Sequence, residues 1–137
     1  MIVLDASAVI EMARETSTGL GFKCLMMEGG RAISCDLLRA EVASVFRKLV
    51  RTEGIKPEVA QRFLTEAVSL VDEFYPMEDL QSEALRESIR LDHSTYDMFY
   101  FVLARRTGGT LFTADRKLAE LCLRNGVDCA AEFELPA

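Results

Sequence analysis

Short apolar runs alternate with helical stretches along nearly the whole chain, and this constrains the fold more than any other feature. The runs are IVL at 2–4, AISC at 32–35, FYPM at 74–77, TLFTA at 110–114 and VDCAA at 127–131. The intervening stretches read as helices over 7–14, 18–28, 37–54, 57–74, 78–91, 94–109 and 115–125. Several carry helix signals: Gly29-Gly30 stops one, Asp36 is placed to cap the next and Gly54 ends it, and Pro57 opens another. The stretch STYDMFYFVLARRTGG is apolar on nearly all sides, which predicts an interior helix. Strands separated by helices require crossover connections, so the expected fold is α/β, a three-layer α/β/α arrangement around a central parallel sheet of four to five strands.

A length of 137 residues, half of them apolar, is enough for one domain spanning 1–137 with a proper core. No repeat, low-complexity tract or linker breaks it. No apolar run approaches membrane-spanning length, and the first residues lack a basic n-region, so a cytoplasmic protein is expected. Cys24, Cys35, Cys122 and Cys129 form no C-x-x-C pair and read as small buried hydrophobes. The glycines match neither dinucleotide nor phosphate-loop spacing.

Net charge is −6, at first sight unsuited to a polyanionic partner, but it is unevenly spread. Residues 58–97 hold ten acids and three bases, whereas 98–127 hold Arg105, Arg106, Arg116, Lys117 and Arg124 against two acids. Residues 36–56 add Arg39, Arg47, Lys48, Arg51 and Lys56 against three acids. Local patches matter more to a polyanion than the total.

Four acids stand where topology can bring them together. Asp5 follows the first strand and Asp115 the fourth, and ligands in open parallel sheets bind outside the carboxyl ends of the strands. Glu41 has Leu37, Leu38 and Val45 as helical neighbours, so it shares a face with apolar residues. Asp97 opens the interior helix. Each also has a bland role: Asp5 and Asp115 as helix caps, Asp97 as the end of a Ser94-x-x-Asp capping box, and Glu41 as a surface acid. Together they fit a hard divalent metal better, because half-buried carboxylates need a counter-ion. His93 is the only histidine, which excludes a two-histidine ribonuclease mechanism and leaves His93 without an expected role. There is no G-x-S-x-G elbow. What remains is metal-assisted phosphodiester hydrolysis, in which the metal activates water and stabilises the phosphate. A phospho-aspartate enzyme of the HAD type would want a second aspartate at position 7, where Ser7 stands.

The stretches IVLDASAVIE, LLRAEVASVFRK, LDHSTYDMFYFVLARR and LFTADRKLAEL resemble, in order, the motifs of the PIN-domain family, and more closely those of VapC-type toxins of toxin–antitoxin modules. The resemblance implies that Asp5, Glu41, Asp97 and Asp115 are an acidic quartet binding Mg²⁺ or Mn²⁺, with Asp5 and Asp97 as direct ligands. Glu41 and Asp115 would complete the shell or orient water, and Ser7 and Thr113 would line the same site. It further implies an RNA substrate, a small VapB-like antitoxin and a homodimer with no membrane role. Arg105, Arg106, Arg116 and Lys117 are candidate phosphate contacts. PIN-fold RNA processing without an antitoxin and a non-catalytic PIN binding module are the alternatives.

Overall fold

The computed structural model describes residues 1–131. Five parallel strands form one sheet: β1 (Ile2–Leu4), β2 (Ala32–Cys35), β3 (Glu73–Tyr75), β4 (Thr110–Phe112) and β5 (Cys129–Ala130), in the order β3-β2-β1-β4-β5. Every residue of β1 and β2 is buried, as expected of strands covered on both faces. The register pairs Val3 with Ile33 on one side and with Leu111 on the other.

The chain steps from β1 to β2 to β3, then crosses back past both to β4 and continues outward to β5. Right-handed crossovers therefore place α1 (Ala6–Arg14), α2 (Ser17–Met27), α3 (Leu37–Glu53) and α4 (Pro57–Ser69) on one face. The other face carries α5 (Gln81–Leu91), α6 (Thr95–Thr107) and α7 (Arg116–Arg124). The helix contacts agree: α1 packs on α2, α3 and α4, and α5 packs on α6. Between β1 and β4 the connections run off in opposite directions, which opens a crevice at the carboxyl ends of those two strands.

The expected interior helix is α6, in which every residue from Met98 to Ala104 is buried and which lies against β1, β2 and β4. Gly19 lets α2 approach α1 closely, since a Cβ there would sit 2.0 Å from the Glu11 carbonyl oxygen. Gly54 ends α3 at φ 69°, a left-handed conformation that costs glycine little.

Four local expectations change. The helix expected to reach residue 74 stops at Ser69. The chain beyond it turns to pair with β2: the Asp72 N–H donates to the Ala32 carbonyl (2.8 Å), and the Ala32 N–H donates to Asp72 Oδ2 (2.9 Å). The third strand is Glu73–Tyr75, beginning one residue and ending two residues earlier than expected, because Pro76 leads into a short 3-10 turn, Met77–Asp79, ahead of α5. Asp36 precedes α3 but makes no side-chain cap; its Oδ1 accepts instead from the Met77 N–H at 3.0 Å, joining the ends of β2 and β3. All four cysteines are free, and Cys24, expected to be buried, is exposed. No helix among the described residues is long and apolar enough to cross a membrane.

Candidate active site

The crevice at the reversal of strand order is a cavity of about 620 Å³. Asp5, Ser7, Glu41, Asp97 and Asp115 all line it, with Glu11, Tyr96 and Tyr100 among the other polar lining residues, and no lysine or arginine does. The four acids separated in sequence thus meet around one space.

Asp5 and Asp115 are helix caps as well as cavity residues. Asp5 Oδ1 accepts from the Ala8 N–H (2.9 Å) and the Ser7 hydroxyl (2.7 Å), while its own N–H donates to the Phe112 carbonyl across from β4. Asp115 Oδ1 accepts from the Lys117 and Leu118 N–H groups at 2.9 and 3.2 Å. Ser7 and Thr113 knit the two corners together: their hydroxyls lie 3.3 Å apart, the Ala114 N–H donates to Ser7 Oγ, and the Asp115 N–H donates to Thr113 Oγ1. Strand ends and helix starts alone would leave these corners free to splay; the hydroxyl pair holds them.

Asp97 has no part in a capping box, since Ser94 makes no side-chain cap. Its Oδ2 instead meets His93 Nε2 at 2.8 Å. That histidine is itself held: the Ser88 hydroxyl donates to the His93 carbonyl at 2.6 Å, and the Thr95 hydroxyl donates to Ser88 Oγ at 3.0 Å. Glu41 Oε1 accepts from the buried Tyr100 hydroxyl at 2.5 Å, a bond from α6 to α3. Glu11, Tyr96 and Tyr100 in the cavity lining, and His93 behind Asp97, are the residues that sequence reasoning missed. For His93 the i, i+4 spacing to Asp97 was the available signal; Tyr100 and Glu41, 59 positions apart, offered none.

Burial pushes the Asp5 carboxyl up to about 7, against the opposing bonds from Thr113, Ser7 and Ala8, and the charge of Asp97 adds to the rise. Burial likewise raises Glu41, with Tyr100 opposing and Asp97 adding. It raises Asp97, with His93 opposing and Asp115 adding. The charge of Asp97 thus bears on Asp5 and Glu41, and that of Asp115 bears on Asp97.

In kind, this donor set fits a hard divalent cation: oxygen ligands around one space, with no lysine or arginine paired to Asp5, Glu41, Asp97 or Asp115 among the described residues. Among those residues, no three histidine, cysteine, aspartate or glutamate side chains are gathered closely enough to hold an ion as they stand. Like charges repel, so an ion would have to draw them in.

The candidate phosphate contacts lie outside the cavity. Arg105 pairs with Glu87 (2.8 Å) and Glu83 (3.3 Å), and Arg106 pairs with Glu83 (3.0 Å) and donates to the Asp79 carbonyl, so both clamp α6 to the segment around α5. Arg116 and Lys117 are exposed on the first turn of α7, next in sequence to Asp115.

Were Asp97 to hold a metal, His93 would be its outer partner, a position typically worth 10- to 100-fold in affinity or activity, and His93→Ala would slow metal-dependent cleavage roughly tenfold. Its melting curve should barely move. Unchanged kinetics would return His93 to the status of a bystander.

The PIN domain family model matches residues 2–123. Among solved structures, the fold is similar to PAE2754 from Pyrobaculum aerophilum at 21% identity and a TM-score of 0.66, covering 87% of this chain and 82% of that one. It is also similar to a chain in the structure of VapBC2 from Rickettsia felis bound to a DNA fragment from their promoter. There the identity is 15% and the TM-score 0.67, over 96% of this chain and 98% of that one. No curated protein matches the chain.

Proposed function

The chain belongs to the PIN domain family, and on that premise we propose that it is a Mg²⁺- or Mn²⁺-dependent endoribonuclease, the toxin of a VapBC-like toxin–antitoxin pair. One observation carries the reading: Asp5, Glu41, Asp97 and Asp115 line a single cavity at the reversal of strand order, with no cationic side chain among its lining residues. The solved VapBC2 complex, with its similar fold, supports a small VapB-like antitoxin as partner, and a homodimer in the cytoplasm belongs to the same reading.

In this site Asp5 and Asp97 would hold the cation, and Glu41 and Asp115 would complete its surroundings or orient the attacking water. A bound divalent cation supplies Lewis-acid stabilisation of the phosphate charge and a water acidic enough to attack at neutral pH. The protein's own contribution is placement. Ser7 and the Ala8 N–H keep one face of Asp5 occupied, and the α7 N-terminus does the same for Asp115. Tyr100 holds Glu41, and His93 holds Asp97.

Purified protein should cut RNA with Mn²⁺ or Mg²⁺, stop with EDTA, and leave 5′-phosphate ends, because water rather than the 2′-hydroxyl attacks. Products ending in a 2′,3′-cyclic phosphate would overturn the mechanism. Cleavage without any growth defect on expression alone would count against the toxin assignment.

A further inference from the structure

The cavity does not end at its carboxylates. Ser44 and Val45 of α3 line it, and they also line a second hollow of about 380 Å³ formed with Arg47, Lys48, Arg51 and Thr52 of the same helix. Glu41, Ser44, Lys48 and Arg51 follow one another at helical spacing, so a single stripe of α3 leads from the acidic cavity onto a basic ridge. At 1.5 Å per residue the stripe is about 15 Å long.

Arg47, Lys48 and Arg51 are exposed and make no ion pair among the described residues. Neither acid of α3 stands three or four positions from any of them: Glu53 pairs with Arg14 at 2.9 Å, and Glu41 is bonded to Tyr100. Arg47 and Arg51 stand one turn apart, a spacing at which like charges weaken a helix. A polyanion lying along these three cations would balance them where the described residues offer no ion pair. On the α6 wall of the same cavity, Tyr96 is 62% exposed, with its ring open to stack on a planar group.

We propose that the Arg47–Lys48–Arg51 ridge and Tyr96 form the path for a single RNA strand, the ridge taking backbone phosphates flanking the cavity and Tyr96 stacking on a base. The inference rests on the nuclease reading of the cavity and adds how the strand is held. Phosphate contacts supply affinity without sequence preference, and an aromatic ring accepts any base face. The acidic total charge is no obstacle, because the field along the strand is set by this ridge.

The test is fluorescence anisotropy of the full chain with a labelled single-stranded oligoribonucleotide in EDTA, across a salt series. Each phosphate contact on a single strand contributes about 0.7 to the slope of log K against log salt, so Arg47→Gln/Lys48→Gln/Arg51→Gln should flatten it by about 2. Tyr96→Ala should weaken binding about fivefold or more at an unchanged slope, and Tyr96→Phe should restore it. All four positions are exposed, and melting curves of the variants check that they fold. A slope unaffected by the triple substitution, or no RNA binding by the wild type, overturns the proposal. So does equal binding of polyglutamate with no effect of Tyr96→Ala, which would point to an acidic protein segment on the ridge. Cleavage with Mn²⁺, measured separately, reports on the nuclease reading: its failure would leave the salt slopes to stand on their own.

Discussion

Metal-free Asp5→Asn protein is expected to melt several degrees above the metal-free wild type at pH 8, and to gain little from added Mg²⁺. Asp5 is 4% exposed, and burial pushes its carboxyl up to about 7 from an ordinary value of 3.8. A raised folded-state pKa means that the native protein holds a proton more tightly than the unfolded chain does. Below about pH 4 both states are protonated and burial of the carboxyl carries no charge penalty. Between 4 and 7 the unfolded chain ionises while native Asp5 does not, so stability falls as pH rises. Above 7 the loss is complete. At 1.36 kcal/mol per unit it amounts to at most about 4 kcal/mol, and Glu41 and Asp97 shift in the same direction. Asparagine keeps the shape and the cap oxygen without the charge. At about 4 °C per kcal/mol for a chain of this size, even half of that penalty is measurable. On the proposed reading a divalent cation would act in the opposite sense on the wild type, since it would bind the ionised folded site. At a hundredfold excess over its Kd it should add roughly 2.7 kcal/mol. Melts of both proteins with EDTA or Mg²⁺, at pH 5 and pH 8, decide the matter. If Asp5 serves only as a cap, the variant will melt at or below the wild type and Mg²⁺ will move neither curve.

Asp97→Asn is expected to reduce RNA cleavage by more than the roughly 10- to 100-fold typical of an outer partner of a metal ligand, with the fold intact. Asp97 is singled out because its charge bears on Asp5 and Glu41 and is itself affected by Asp115. The substitution should also relieve any growth arrest caused by the wild type at equal protein levels. Persistent toxicity of the variant would mean that the poison acts by binding. Glu41→Gln makes a useful comparison: Tyr100 can still donate to the remaining amide oxygen, so its effect isolates the charge from the tether.

The layered α/β plan was legible because strands and helices have different hydrophobic periods and the chain respects both. IVL and AISC are buried strands, and the all-apolar stretch after Asp97 is the interior helix. That Asp5 and Asp115 would be caps at the edge of a crevice was readable, because a strand running directly into a helix puts its junction residue at the carboxyl edge of the sheet. Glu41 was readable from its apolar helical neighbours. Local pattern misled where a distant partner outbid a near one. Asp36 bonds Met77 rather than its own helix, and Asp97 bonds His93 in place of the Ser94 box. Arg105 and Arg106 looked available for phosphate, but their partners Glu83 and Glu87 lie 18 to 23 positions away on α5. The sequence by itself thus determined which residue types the chain could bring to the strand ends, because periodicity and junctions are properties of neighbouring residues. Which side chains hold those acids, which cations are already paired, and that the basic stretch of α3 lies beside the cavity were decided by tertiary packing. Hydrogen bonds and ion pairs reach only a few ångströms, and only the folded chain sets which distant residues come within that reach.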